Sequence, residues 1–504
     1  MKPARATQPV LQQAMALHQA GEVERAMEMY RDVLRREPGQ ADALHLLGAA
    51  LWQKGELPEA EKLMRRAIGI WGREPGYFAD LGGLLNQKGD FGASIAAYKA
   101  ALKLDPRHAN AREGLANCYG RQGFELSKTF QWPEAEAAYN KLLELRPGDA
   151  AAFNNLGEIV HHAGERRRAE DYYSRALDVK PDYDIVRFNR GICRLAQENL
   201  PGGWADMAAS TRDWLPRMDG RKNLPWLKMR LWDGANLNGK KLMIWGDQGI
   251  GDEILFASMF PDLIKQGAQI TVECTGRLMP LFRRAFPGIA AHSRDELPSY
   301  MPDFDYVAPG LWLGRFLRPD FAAFPARRGY LKADAAQVER LRARYRGLGK
   351  KRVIGVAWHT TSQGRAGARR LDLLELAQAL TRAYPPGETL FVDLQYGNTE
   401  AERADVARAL PEFQLYHDPE VDQLQDMDIF AAQVAACDEY AGIGNTTAHV
   451  AGALGVKGQI LIPIAGLTWY WFEKCETCPW YPSLRLLRKE KEGDWGAALG
   501  KIAG

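Results

Sequence analysis

A chain of 504 residues exceeds what one hydrophobic core organises, so two to four domains are expected. Its 46% hydrophobic and 26% charged composition is ordinary for a globular protein, and a net charge of +3 excludes the dense basic stripe of a nucleic-acid binder. There is no run of about eighteen apolar residues to span a membrane, and the opening MKPARATQPVLQQAMALHQAGE lacks the apolar core of a signal peptide. Six scattered cysteines, with Cys475 and Cys478 in a C-x-x-C that has no second pair, point to a reducing cytoplasm rather than to zinc.

The first half is periodic. Gly21, Gly55, Gly89 and Gly123 recur every 34 residues, the tetratricopeptide period. Leu47-Gly48 and Leu81-Gly82 keep the same step, and Leu115-Ala116 continues it. Ala26, Ala60, Ser94 and Ala135 follow, then Tyr30, Met64, Tyr98 and Tyr139, while Pro38, Pro106, Pro147 and Pro181 close units. Small residues let paired helices approach, glycine permits the tight turn, and proline stops the second helix. A step of 41 from Gly123 to Gly164 implies a seven-residue insertion near FELSKTFQW. A further unit runs through Leu156-Gly157, Ala169, Tyr173 and Ala176, and a degraded one follows Gly191. The expected array occupies residues 1–215.

Residues 216–239, with Pro225 and Trp226, read as a linker. From Lys240 onward KKLMIW, QITVECT, DYVAP, RVIGVAW, TLFVDLQ, DEYAGIG and QILIPI are expected strands separated by helix-length segments, which argues α/β with parallel sheets. Two subdomains are expected, at 240–345 and 346–504, with Arg340 to Lys351 as the bridge.

Three clusters can carry chemistry at the mouths of these sheets. The first strand runs into Gly249-Ile250-Gly251-Asp252, which presents backbone N–H groups and a carboxylate; Asp252 either caps the helix or acts on a ligand. Gly444, Asn445, Thr446 and Thr447 form a turn and helix start suited to a phosphate, with His449 about one turn on, as a structural or a ligand-facing histidine. Thr360, Thr361, Arg365, Arg369 and Arg370 follow a strand, where guanidinium forks would match phosphate oxygens unless they only line a solvated loop. The D-x-D pairs Asp303/Asp305 and Asp426/Asp428 are triplets of the kind expected by chance among 63 acidic residues, and no metal is expected.

From about Pro225 to Arg488 the sequence resembles the C-terminal domain of bacterial tetratricopeptide-repeat glycosyltransferases related to the heptosyltransferases of glycosyltransferase family nine. LPWLKMRLWDGANLNGKKLMIWGDQGIGDEILFASMF, FVDLQYG, GNTTAHVAGALG and CPWYPSLRLLR carry the resemblance, in that order. It implies a GT-B architecture, two Rossmann-like subdomains facing a cleft, and metal-independent transfer from a nucleotide-activated sugar without any cofactor. The family's base falls on Asp252. Its donor contacts fall on Gly249, Gly251, Thr360, Thr361, Arg369 or Arg370, Gln395, Gly444 to Thr447, and His449. Heptosyltransferases have an aspartate where this chain has Gly444, so the sugar is expected to differ from heptose; members of the repeat-fused subgroup glycosylate flagellin.

The resemblance also implies acceptor contacts just before each Leu-Gly pair. That position holds Asp80, Asn155 and Asn189, but Leu46 and Gly114, so any ladder of side chains to a peptide backbone is partial. The expected function is a cytoplasmic glycosyltransferase acting on Ser/Thr hydroxyls of a protein, flagellin being favoured, recruited by the repeats. An inactive repeat scaffold and an enzyme of lipopolysaccharide synthesis are the alternatives.

Overall fold

The computed structural model describes residues 7–208, 229–246, 249–293, 303–360 and 370–503. Thr361, Arg365, Arg369, Pro225 and Trp226 lie outside them. The chain packs as two compact units, Met1–Ile159 with Asp178–Pro181, and Val160–Leu177 with Asp182–Gly504.

The first unit is built from helical hairpins. They are α1 (Gln8–Gln19) with α2 (Val23–Arg36), α3 (Ala41–Gln53) with α4 (Leu57–Ile70), α5 (Pro75–Lys88) with α6 (Phe91–Leu104), and α7 (Ala109–Lys128) with α8 (Trp132–Leu145). Gly21, Gly55 and Gly89 make the turns at φ +85°, +83° and +81°, where a side chain would strain the backbone. Ala26, Ala60 and Ala135 are buried, as are Tyr30, Met64, Tyr98 and Tyr139. The Tyr98 ring lies so close to Gly82 that a β-carbon there would stand 2.9 Å from it.

Gly123 behaves differently from its periodic equivalents. The seven-residue insertion extends α7, so the turn moves to Phe130 at φ +60° and Gly123 becomes a helix-internal contact for Tyr139. Helices α9 (Ala150–His162), α10 (Arg166–Val179) and α11 (Asp184–Ala196), and α12, which includes residues 201–208, continue the pattern. In the last hairpin Glu198, at φ +71°, holds the turn position that glycine takes elsewhere.

The second unit contains two sheets. In the first, β1 (Lys241–Trp245), β2 (Gln269–Cys274), β3 (Ala290–Ser293) and β4 (Tyr306–Pro309) are all parallel, in the order β3-β2-β1-β4. In the second, β5 (Arg352–Ala357), β6 (Thr389–Asp393), β7 (Leu415–Tyr416), β8 (Glu439–Ile443), β9 (Lys457–Ile462), β10 (Thr477–Cys478) and β11 (Tyr481–Arg488) take the order β10-β11-β9-β8-β5-β6-β7. Only the β10–β11 pair is antiparallel there. All seven expected strands form; β3, β7, β10 and β11 are additional.

Two boundaries differ from those read off the sequence. Phe188, Leu195, Leu200, Trp204 and Met207 of the last hairpin share one apolar core with Ile254, Phe256, Ile460 and Trp469, so among the described residues the change of unit falls near Ile159 and not after the last hairpin. The repeat pattern outlasts the first unit because a tetratricopeptide hairpin must bury its outer face on something, and here that is the α/β core. Second, helix α17 (Ala335–Gly347), with Arg344 on Asp418 and Arg346 on Asp438, is bound to the second-sheet half, so the crossing lies before Ala335 rather than at 345/346.

Candidate functional site

Both sheets reverse strand order at one place, between β1 and β4 and between β5 and β8. Loops leaving the carboxyl ends of strands diverge at such points and open a crevice. The loop after β1 leads into α13 (Ile250–Ala257), and the turn after β8 leads into α21 (Thr446–Leu454). These helices meet at Gly251 and His449: a β-carbon on Gly251 would stand 2.9 Å from His449 Cδ2 and 3.2 Å from Nε2. The helices that follow the two glycine-rich turns singled out from sequence therefore pack directly on one another.

Helix α13 has Gly249 as its N-cap, so Asp252 is a first-turn residue and not the cap. Its partly exposed carboxylate turns back toward the start of the helix; a β-carbon on Gly249 would lie 3.6 Å from Oδ2. The next residue, Glu253, is buried and structural, accepting from the Thr275 N–H at 2.7 Å and the Thr275 hydroxyl at 3.0 Å.

The second turn is fixed by its own side chains. Asn445 caps α21 by accepting from the Ala448 N–H at 3.2 Å, and its amide donates to the His359 carbonyl at 3.2 Å, joining the loops after β8 and β5. Thr447 is fully buried and donates to the Leu394 carbonyl at 3.2 Å, so its hydroxyl supports the turn from within. Gly444 and Thr446 remain partly exposed at the mouth, beside the positive end of the helix dipole. His449 is 2% exposed, shares a 2.7 Å hydrogen bond between Nδ1 and the Tyr481 hydroxyl, and is packed among Tyr470, Trp471 and Tyr481. Tyr481 lies within the CPWYPSLRLLR phrase, which does not mark it as a site residue, and Trp471 lies in no motif; their packing against His449 of α21 reveals both.

The loop after β5 supplies Thr360, whose hydroxyl accepts from Tyr396 at 3.3 Å, and His359, whose pKa burial lowers. Arg370 is exposed and paired with Glu402 at 2.7 Å; the same carboxylate accepts from the Trp358 indole at 2.8 Å. Gln395 is fully buried and accepts from the N–H groups of Trp358 and His359, both at 2.9 Å, which shapes this loop from behind. Behind it, Asp393 is fully buried; desolvation raises its pKa although Thr399 and the Gln395 N–H donate to it.

The three acceptor-side positions differ in their surroundings. Asp80 lies 2.9 Å from His45 Nε2 of the preceding hairpin, and Asn155 donates to the Tyr139 hydroxyl at 2.9 Å. Asn189, on α11, belongs to the second compact unit. Three of the four aspartates in the acidic triplets have partners of their own: Asp305 accepts from the Lys241 N–H and Lys240, Asp426 caps the helix Met427–Ala436, and Asp428 pairs with Arg284. Burial pushes the Cys475 thiol up to about 11 and the Cys478 thiol to about 12, away from thiolate chemistry.

Comparison with known proteins bears on both halves unequally. The chain carries tetratricopeptide repeats: the family described as "Tetratricopeptide repeat" matches residues 11–75, 131–165 and 162–209, and that described as "TPR repeat" matches 82–123. Protein FlbA of Caulobacter vibrioides is 27% identical over 490 residues, covering 82% of this chain and 81% of that protein. Human Protein O-mannosyl-transferase TMTC1 is 25% identical over 175 residues, which is 34% of this chain and 19% of that protein. Among solved structures, the C-terminal part of a TPR repeat-containing protein from Cytophaga hutchinsonii aligns with a TM-score of 0.34 at 16% identity, covering 50% of this chain and 85% of that one.

Proposed function

We propose that the chain is a GT-B glycosyltransferase of the family-nine type that transfers a sugar from a nucleotide-activated donor to Ser/Thr hydroxyls of a protein acceptor recruited by its repeats. The observation that carries this reading is the close approach of Gly251 to His449, which packs the helix after the β1 loop on the helix after the β8 turn. Likeness to Protein FlbA over most of the chain, and to a protein O-mannosyl-transferase over part of it, supports a protein-directed transferase.

In this reading the acceptor hydroxyl attacks the anomeric carbon while its proton passes to the Asp252 carboxylate. The bond from the anomeric carbon to the phosphate oxygen breaks, and the departing nucleotide carries the electron pair. The helix dipole at Thr446, together with Thr360 and Arg370 of the loop after β5, would offset that charge without a divalent metal. Flagellin is the acceptor we favour.

The test is transfer to purified flagellin by the full chain, using a panel of sugar nucleotides with and without chelator. Asp252→Asn should lower turnover by about 10²- to 10⁴-fold with donor affinity nearly unchanged. Near-normal transfer by that variant would remove Asp252 as the base, and loss of activity on chelation would overturn the metal-free mechanism.

A further inference from the structure

The segment from Ile464 to Cys475, between β9 and β10, is held by the last repeats at its ends and covers the α21 turn at its centre. At the centre, the Tyr470 and Trp471 rings lie 4.9 and 5.2 Å from the His449 ring, and Trp471 Nε1 is 2.7 Å from the β-carbon position of Gly444. At the ends the contacts are polar and directed. Arg166, with its side chain 4% exposed, donates to the Ile464 carbonyl at 2.7 Å and pairs with Glu473 at 2.8 Å. Glu198 accepts through one oxygen from the N–H groups of Lys474 at 2.7 Å and Cys475 at 3.1 Å.

Backbone geometry is adapted to both clamps. Gly164 turns at φ +89° flush against Ile464, where a β-carbon would stand 2.7 Å from Cγ2. Glu198 itself sits at φ +71° and Phe472, inside the segment, at φ +50°, conformations that non-glycine residues hold only when their surroundings fix them. Trp204 adds an edge-on contact to Trp469 at 5.6 Å.

We propose that Arg166 and Glu198, two residues of the tetratricopeptide repeats, are positioning residues for the turn at Gly444–Thr447, acting through the 464–475 segment. The guanidinium fork bridges the two sides of the segment, and the Glu198 carboxylate gathers two successive amides at its exit. With both ends fixed, Tyr470 and Trp471 are held against His449 and Gly444. The last repeats are thereby part of the site's frame as well as of the array. The assignment of that turn to donor binding rests on the function proposed above; the positioning does not.

Hydrogen exchange on the full-length protein tests it without any ligand. In Arg166→Ala and in Glu198→Gln, exchange should accelerate about tenfold or more both in residues 464–475 and in 445–450, because charge-assisted clamps to backbone are lost. Arg166→Lys keeps the charge but loses the fork, and should give a smaller rise in both. Acceleration confined to 464–475 and α10, with 445–450 unchanged, would overturn the proposal. If Arg166→Ala does not fold, the milder Glu198→Gln decides. In parallel, calorimetry with UDP, GDP, ADP and CMP should show weaker binding in the variants. Absence of nucleotide binding by the wild-type chain would count against the donor reading alone, since the exchange result stands separately.

Discussion

Trp471 occupies the space that a side chain on Gly444 would need. A β-carbon there would lie 2.7 Å from the indole Nε1 and 3.0 Å from Cε2, and the indole is itself buried in the aromatic cluster around His449. The small residue at 444 is thus matched by a bulky neighbour. Gly444→Asp should cost about 1–3 kcal/mol by overpacking. Trp471→Ala alone should cost about 3–5 kcal/mol through the cavity it leaves. Combined in one chain, the two should cost clearly less than their sum, because the second relieves the first. Urea midpoints of the four proteins measure this; simple additivity would mean that the indole yields freely.

The packing seam predicts how the protein can be divided. A fragment of residues 160–504 should fold cooperatively, whereas residues 225–504 should aggregate. The shorter piece loses Phe188, Leu195, Trp204 and Met207 from a core they share with Ile254 and Trp469. Each large side chain uncovered in this way forfeits about 1.5–3 kcal/mol. Gel filtration and thermal melting compare the two directly, and a monomeric, cooperatively melting 225–504 would place the seam after the repeats.

His359 gives a pH dependence with a definite sign. Burial, the largest influence, holds its pKa below the ordinary 6.5 despite Glu402 3.6 Å away. Between the lowered value and 6.5 the unfolded chain binds more protons than the folded one. This contribution is present above about pH 6.5 and is lost as pH falls. His359→Gln should therefore flatten the stability profile between about pH 7.5 and 5.5, as read from urea midpoints. An identical slope in both proteins would assign the acid sensitivity elsewhere.

Metal removal is expected to be silent at the C-x-x-C. With Cys478 buried and both thiols shifted upward, neither is predisposed to the thiolate form that zinc requires. Dialysis against chelator should leave the melting temperature unchanged, and Cys478 should resist alkylation at neutral pH until the chain unfolds. A drop in melting temperature on chelation would reveal a resident ion.

Much of this architecture is legible in the sequence because it rests on local periodicity. Helical hairpins need a glycine per turn and small residues at the crossing, and buried parallel strands need short apolar runs, so residues 21, 55 and 89 and the seven main strands can be read directly. Strand β11 is harder, since Pro482, Arg485 and Arg488 interrupt its apolar run. Gly123 is misleading, because an insertion lengthens α7 without erasing the period. At the site, chain position identifies the turns but not which hydroxyl faces outward. Thr446 is partly exposed and Thr447 fully buried, a difference set by the helix start at Thr446 and the Leu394 carbonyl behind it. The CPWYPSLRLLR phrase contains Tyr481, but the packing of Tyr470, Trp471 and Tyr481 on His449 is a tertiary arrangement that no spacing announces.

The seam near Ile159 falls within the run of repeats rather than after it. This divides the array into a variable part and a committed part. Whole hairpins upstream of Val160 can be duplicated or deleted as modules, of 34 residues in the regular units and 41 in the one with the insertion, each adding or removing one layer of contacts with its neighbours. The hairpins that follow have no such latitude, since Arg166, Glu198 and Trp204 each meet a particular partner in the α/β core. The length of the array can therefore change without disturbing the α/β core, whereas its final units cannot be separated from that core.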